Sequence, residues 1–299
     1  MSNTINSLIG YIQEINNFIH RVGSTKEYIF LYRGHAKENY KLKPALFRED
    51  NKKIRVREAE TLNEIEVVHP KELSGMSTLD KLVMLQHYEF PTRLLDFTFN
   101  PLVALFFAAR SHKKDCGSVI IVKLPSNEIE KFNSLKAQYL AKIALFPDDL
   151  KNKIIKCNTK QLSKALEACV PSYYIEDITI NEVGKDEQEL AKKIMSFFLE
   201  AGNINENNEN TGLKLDLFKP IFVETKQLNP RISAQKGAFL LFGIDEEIPK
   251  INIETITIKA NYKNSIMQEL EKFGIDESVM FPGFEHFLLY LRKKINDTV

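Results

Sequence analysis

Polar residues able to do chemistry fall into three clusters, each set in an apolar segment of the chain. The first is Tyr32-Arg33-Gly34-His35, the second spans 86–98, and the third spans 229–239. A planar guanidinium such as that of Arg33 can hold phosphate oxygens with two parallel hydrogen bonds. Because polar groups in apolar surroundings are costly unless paired or used, the clusters predict a pocket for an anionic ligand.

Arg33 and Asp96 are the first candidates for that pocket, and two arrangements are open. Asp96 could pair with Arg33 in a structural ion pair. Arg93 could instead be the partner of Asp96, which would leave Arg33 free for a ligand.

Three further residues of the first two clusters differ in their expected roles. His87 follows a predicted helix and can act as a general acid or base near neutral pH, or be a hydrogen-bonded structural histidine. Thr98 adjoins the start of the next helix, where its hydroxyl could donate to a bound anion or satisfy backbone groups. His35 is expected to be exposed.

The third cluster is predicted to lie on a strand over 232–242. Alternation along that strand would place on one face Arg231, Ser233, Gln235, Gly237 and Phe239. This face would form a pocket wall, and Gly237 would let a ligand approach the backbone closely. Arg231 and Gln235 also suit a buried polar network.

Several common functions lack support in the sequence. The motifs GxGxxG, GxxxxGK[ST], HExxH and GxSxG are absent, and the three cysteines have no metal-site spacing, so no metal site is predicted. A net charge of +1 makes nucleic acid an unfavourable partner. The longest apolar stretch, 102–109, is too short for a bilayer, and we expect no membrane partner and a reducing, cytoplasmic setting.

The elements that position these clusters can be read from periodicity and capping signals. Helices are predicted over 1–23, from Ser77 to His87, after Asn100-Pro101, over 263–273 and over 284–295. Strands are predicted over 27–34, 117–124, 220–224 and 253–259, besides the one already described. Mixed strands and helices without strict alternation predict an α+β fold of mixed or antiparallel sheets with flanking helices. We expect one domain over 1–299 with a mainly helical insert at about 126–215.

The ordered motifs resemble the FRG domain family, named for its Phe/Tyr-Arg-Gly motif. The matching segments are 32–35, Leu82 to Tyr88, Pro91 to Thr98, Asn100 to Ala108, Asn229 to Arg231, Gln235 to Phe239 and 281–283. The resemblance implies a bacterial or phage-associated protein, in a phage-defence or toxin setting, without a settled activity.

The chain also resembles, more distantly, ADP-ribosyltransferases of the Arg-Ser-Glu type. Arg33 matches their early-strand arginine, and the segment from Asp96 to Thr98 matches their Ser/Thr-containing strand. Gln235 stands near the position of their glutamate, and an amide cannot supply the negative charge that stabilises an oxocarbenium-like ribose. If the chemistry is retained, Asp96 or Glu224 must supply it.

Two functions follow from these resemblances. One is an enzyme that binds a nucleotide or NAD for ADP-ribosyl transfer or NAD cleavage, with Arg33, Asp96 and His87 as catalytic residues. The residues that would line its ligand site are Arg33, Thr98, Arg231, Gln235 and Gly237. The other is a non-catalytic interaction module with a protein target. The sequence does not decide whether the protein is an enzyme, and NAD is the one cofactor-like molecule that it suggests.

Overall fold

The computed structural model describes residues 3–23, 27–169, 183–200, 216–224, 226, 230–246, 248 and 251–297. The strands in these residues are β1 Asn3–Ile5, β2 Tyr28–His35, β3 Leu94–Thr98, β4 Gly117–Pro125, β5 Ile129–Glu130, β6 Ile221–Glu224, β7 Gly237–Leu241 and β8 Asn252–Ile258. The helices are α1 Leu8–Val22, α2 Lys52–Val56, α3 Glu58–Val68, α4 Pro70–Leu73, α5 Thr78–His87, α6 Pro101–Ala109, α7 Leu135–Lys142, α8 Asp148–Lys156, α9 Thr159–Cys169, α10 Lys185–Glu200, α11 Pro230–Gln235, α12 Lys263–Lys272, α13 Glu277–Met280 and α14 Phe284–Asp297.

The strands form one mixed sheet that is nearly divided into two halves. Their order is β1-β8-β4-β2-β3-β7-β6-β5, with parallel pairs at both ends. β2 pairs with β4 along its whole length, and β3 pairs with β7 likewise. Between β2 and β3, however, the pairing consists of Tyr32 and Thr98 alone. The two strands therefore separate beyond this point, and a gap opens between the halves.

Helix α6 packs against the gap on one side and is held by a cap at its start. Asn100 accepts a hydrogen bond from the backbone N–H of Leu102 (3.0 Å), as expected of an N-cap residue followed by proline. β2 approaches the backbone of α6 so closely at Gly34 that a Cβ there would lie 2.0 Å from the carbonyl oxygen of Ala104. The glycine of the first cluster is therefore required by this packing.

Three apolar clusters surround the sheet. One joins α1, α6 and α12 to β2, β4 and β8, and a second joins α5 and α7–α10 to β3, β6 and β7. Tyr32 and Leu94 belong to the first and second cluster respectively, while Leu31 and Leu95 belong to the third. Side chains alternate along strands, so the first two clusters share one face of the sheet and the third covers the other. The gap lies between the first two.

The predicted α+β class is confirmed, and so are most of its elements. The first helix ends at Val22, and α5 begins after Ser77, whose side chain accepts from the N–H of Asp80. The apolar helix after Asn100 is buried in the core, as predicted. The described parts of 126–215 are largely helical; the Asn/Glu-rich segment 202–211 lies outside the described residues. No described helix has the length and hydropathy needed to cross a membrane.

The predicted strand over 232–242 is wrong in its first half. Residues Pro230–Gln235 form α11, and β7 begins only at Gly237 after Lys236 takes a left-handed φ of 44°. The apolar and polar residues of this short segment fit either period, and the turn at Lys236 ends the helix. Arg231, Ser233 and Gln235 therefore do not share a strand face with Gly237 and Phe239.

Candidate functional site

A cavity of about 280 Å³ opens at the gap between the two sheet halves. It is lined by Tyr32, Arg33, Gly34, Ala45, Gln86, Glu89, Phe90, Asp96, Phe97, Thr98, Val103, Ala104, Phe107, Arg231 and Gln235. These side chains come from β2, β3, α5, α6 and α11 and from the turn after α5. Concave sites with mostly apolar walls and a few converging polar groups are typical of small-molecule binding.

Arg33 lies at the centre of the gap and uses only part of its hydrogen-bonding capacity. Its Nη1 donates to the backbone carbonyl of Asp96 and lies 3.7 Å from the Asp96 carboxylate. Its Nε donates to His35 Nε2 (3.1 Å). Within the described residues its Nη2 meets no acceptor, and 16% of the side chain is exposed. Burial lowers the pKa of the guanidinium more than Asp96 raises it. A guanidinium is not deprotonated in proteins, so Arg33 keeps its charge at neutral pH.

His35 orients Arg33 and is buried, contrary to the expectation that it would be exposed. Only 3% of the residue is exposed. Burial and the charges of Arg33 and Arg48 lower the pKa of His35 to about 4. The imidazole is therefore neutral at pH 7, and its Nε2 can accept a hydrogen bond from the Nε–H of Arg33. A neutral acceptor at this position fixes the guanidinium without neutralising its charge.

Asp96 is held by a short chain of hydrogen bonds through Gln86. The N–H of Leu94 donates to Thr92 Oγ1 (3.2 Å), and that hydroxyl donates to Gln86 Oε1 (2.6 Å). The amide nitrogen of Gln86 must then face Asp96, and it donates to Oδ2 (3.0 Å). The Asp96 side chain is 56% exposed. The carboxylate is thus oriented by the protein while remaining accessible from the cavity.

Thr98 and Gln235 line the cavity, but much of their hydrogen bonding is internal. The hydroxyl of Thr98 donates to the carbonyl of Gln235 (2.6 Å) and accepts from the N–H of Asn100 (3.0 Å). Gln235 Nε2 donates to the carbonyl of Met280 (2.9 Å). Thr98 therefore ties β3 to the end of α11 and to the start of α6.

Arg231 contributes a second cation to the cavity. Its Nη1 donates to the carbonyl of His87 (3.2 Å), and its guanidinium lies 4.7 Å from the centre of the Phe281 ring. Arg110 lies 4.3 Å from the same ring centre. Burial lowers the pKa of Arg231, while Asp96 and Glu89 raise it. Phe281 thus contacts two arginines through cation–π interactions, and one of them, Arg231, lines the cavity.

Arg93 does not pair with Asp96, which resolves the alternative left open by the sequence. Arg93 forms a bidentate ion pair with Glu58. The Glu58 carboxylate also accepts a hydrogen bond from Lys151 Nζ (2.8 Å). The Nη1 of Arg93 donates to the carbonyls of Phe242 and Gly243. Both Arg93 and Glu58 are buried away from the cavity. Of the two arginines, Arg33 is therefore the one at the site.

Three other residues singled out in the sequence do not line the cavity: His87, Gly237 and Glu224. A Cβ at Gly237 would be 3.7 Å from the Ile232 side chain, so this glycine leaves no special space for a ligand. The carboxylate that sequence reasoning missed is Glu89, which does line the cavity. The sequence feature that could have drawn attention to Glu89 is an acidic residue just after a helix end, a position where glycine is usual.

The family model of the FRG domain matches residues 28–116, which confirms the resemblance to that family. The match includes Arg33, Gln86, Glu89, Asp96 and Thr98, whereas Arg231 and Gln235 lie beyond it. No curated protein and no solved structure is detectably similar to the chain.

Proposed function

With residues 28–116 identified as an FRG domain, we propose that the cavity binds a nucleotide-like ligand, NAD being the first candidate. We propose ADP-ribosyl transfer or NAD cleavage as its reaction. The observation that carries the proposal is Arg33, a partly buried guanidinium that lines the cavity and has N–H donors which the described part of the protein does not use.

Phosphate is the group that best matches Arg33. Its oxygens accept from a guanidinium through charge-assisted hydrogen bonds, which are stronger than neutral ones. Arg231 adds a second positive charge to the cavity lining, and Phe90 and Phe107 supply apolar walls for a base. A volume of about 280 Å³ is at the lower end of small-molecule sites. One half of a dinucleotide would occupy the cavity and the other would extend outside.

Asp96 is the group suited to the chemical step. In NAD cleavage the bond between ribose and nicotinamide breaks, and nicotinamide leaves with the bonding electrons. A nucleophile oxygen then bonds to the same carbon and gives up its proton. A carboxylate held by Gln86 would stabilise the positive charge that develops on the ribose and accept that proton. His87 would act from outside the cavity lining, as an auxiliary group only.

A second function, a non-catalytic module that binds a protein, is supported by a different observation. Helix α14 exposes several large apolar side chains, namely Phe284, Phe287, Leu288 and Leu289. Contiguous exposed apolar residues often mark interaction surfaces. In this alternative the cavity network stabilises the fold and has no ligand.

Calorimetric titration and thermal shift with NAD, ADP-ribose and AMP would test the proposal. We expect binding by the intact protein and a loss of at least about tenfold in affinity for Arg33→Gln, because a charge-assisted contact is removed. Arg57→Gln is the matched control, since Arg57 is an exposed arginine that forms an ion pair with Glu60 and does not line the cavity. Its affinity should equal that of the wild type.

Release of nicotinamide from NAD tests the reaction separately. Asp96→Asn should retain binding and lose turnover, because the amide keeps the shape but not the charge. Absence of any ligand response in the intact protein, or equal affinity in the Arg33→Gln and Arg57→Gln variants, would overturn the nucleotide site and favour the binding module.

A further inference from the structure

Helix α5 ends in a Schellman motif whose left-handed position is occupied by glutamate. The N–H of Phe90 donates to the carbonyl of Leu85 (3.0 Å), and the N–H of Glu89 donates to that of Gln86 (3.1 Å). This pair of bonds requires a left-handed residue at Glu89, whose φ is 60°. Glycine is the usual residue there because a Cβ is disfavoured in this conformation.

The rest of the chain mostly follows that preference. Gly23, Gly75 and Gly274 have φ values of 94°, 73° and 72°. Among the described residues, only His112 and Lys236 join Glu89 as non-glycine residues with positive φ. A strained backbone at a cavity is a reason to look for a function of the side chain.

The side chain of Glu89 has no internal contact that would account for its retention. It is exposed and lines the cavity. Within the described residues its carboxylate accepts no hydrogen bond and forms no ion pair within 4.0 Å, although Asp96 and many other carboxylates do. Arg110 and Arg231 are near enough for Glu89 to raise the pKa of each. Among the described residues, the protein thus leaves the Glu89 carboxylate, which lines the cavity, without a hydrogen-bond donor of its own.

The position of Glu89 relative to Arg33 suggests which part of a ligand it meets. An ionised carboxylate can only accept hydrogen bonds, and it repels phosphate. Among the groups of a nucleotide, the sugar hydroxyls are donors and the phosphates are not. Arg33 belongs to β2 and Glu89 to the turn after α5, and both line the cavity, so the two groups can act on different parts of one molecule.

We propose that Glu89 is a ligand-contacting residue whose carboxylate accepts hydrogen bonds from sugar hydroxyls of a nucleotide with its phosphate on Arg33. The left-handed turn places Glu89 in the lining of the cavity. This inference rests on the proposed function, and it adds a residue and a specificity for the sugar.

Stability and binding in three variants test it. Glu89→Gly removes the strain and the carboxylate, and we expect its Tm to rise by about 2–4 °C. Glu89→Gln keeps the strain and loses the charge, so its Tm should match the wild type. Lys236→Gly is the matched control: Lys236 is exposed, has the same left-handed backbone, and does not line the cavity. Its Tm should rise while its affinities stay unchanged.

Affinity for ADP-ribose and for inorganic pyrophosphate separates the sugar contact from the phosphate contact. Both Glu89 variants should bind ADP-ribose about tenfold more weakly, because Glu89→Gly removes the acceptor and Glu89→Gln removes the charge that strengthens the hydrogen bond. Their affinity for pyrophosphate should be unchanged or higher, because a negative charge is removed.

The outcomes distinguish this inference from the function on which it depends. If the wild type binds neither probe, the nucleotide site itself fails. If the wild type binds ADP-ribose and both Glu89 variants bind it equally well, Glu89 is not a contact residue. If Glu89→Gly fails to raise the Tm while Lys236→Gly does, the strain argument is overturned.

Discussion

Arg33 lies near the end of β2 and Arg93 directly precedes the neighbouring strand β3, yet the surroundings of the two arginines differ. Arg93 is 2% exposed and is enclosed by a carboxylate and two backbone carbonyls, with Lys151 completing the cluster. Arg33 has one carbonyl, one neutral histidine and a carboxylate at 3.7 Å, and it opens on a cavity. Removing one partner of a fully paired buried charge destabilises a structure strongly, whereas a charge that is partly paired beside a cavity is available to a ligand.

The Arg93 cluster also connects parts of the fold that are distant in sequence. Glu58 belongs to α3 and Lys151 to α8, while the carbonyls follow β7. Burial raises the pKa of Glu58, but the charges of Arg93 and Lys151 outweigh this effect and lower it. The helices of the predicted insert are thereby tied to the sheet by one ionic cluster.

The largest effect is expected from Arg93→Ala, which leaves Glu58 buried with one partner fewer. The free energy of unfolding should fall by roughly 3–5 kcal/mol, as measured by urea denaturation. Arg33→Ala should cost only about 1 kcal/mol, because its hydrogen bonds are fewer and its site is open to water. Equal losses of unfolding free energy in the two variants would contradict the difference between a fully paired Arg93 and a partly paired Arg33.

A smaller loss of unfolding free energy is expected from Gly34→Ala. This variant tests the packing role of Gly34 separately from the role of the adjacent Arg33. A Cβ would overlap the carbonyl of Ala104 at 2.0 Å, so β2 and α6 must move apart. Overpacking of this kind costs roughly 1–3 kcal/mol or more. Gly237→Ala is the control, since its Cβ would make ordinary contact at 3.7 Å. A stable Gly34→Ala protein would contradict the close approach seen here.

A further effect, absent at neutral pH, is the pH dependence of stability conferred by His35. The pKa of His35 is about 4 in the folded protein and about 6.5 in an unfolded chain. Between these values the unfolded chain binds a proton that the folded protein does not, so stability is present above pH 6.5 and falls as the pH is lowered. The loss should reach roughly 2 kcal/mol at pH 4.5, from 1.36 kcal/mol per pKa unit.

Denaturation at pH 7, 5.5 and 4.5 would measure this slope. His35→Gln should have a shallower slope, because it retains a hydrogen-bond acceptor but cannot be protonated. Arg33→Gln should also be shallower than the wild type, since the Arg33 charge is one cause of the low pKa. If stability has the same slope against pH in the wild type and in both variants, His35 is not the source of the pH dependence and the Arg33 charge does not control it.

The local elements of the fold were predictable because their signals are local. The cap at Asn100, the cap at Ser77 and the apolar strand ending in Arg33-Gly34 all gave correct predictions. The segment 230–235 was mistaken for a strand because six residues do not separate a helical period from an alternating one. His35 was misjudged because its burial depends on Tyr40 and Arg48, which approach it only in the folded chain.

The sequence by itself determined which residue types were available for chemistry and which strands and helices carry them. Apolar periodicity, caps and turn residues act over a few positions, so they can be read without a structure. Only the tertiary structure decided that Asp96 faces Arg33, that Arg93 belongs to Glu58, and that Glu89 reaches the cavity. Such partners are chosen by where separate elements meet, and each pairing excludes another that the sequence allows equally well.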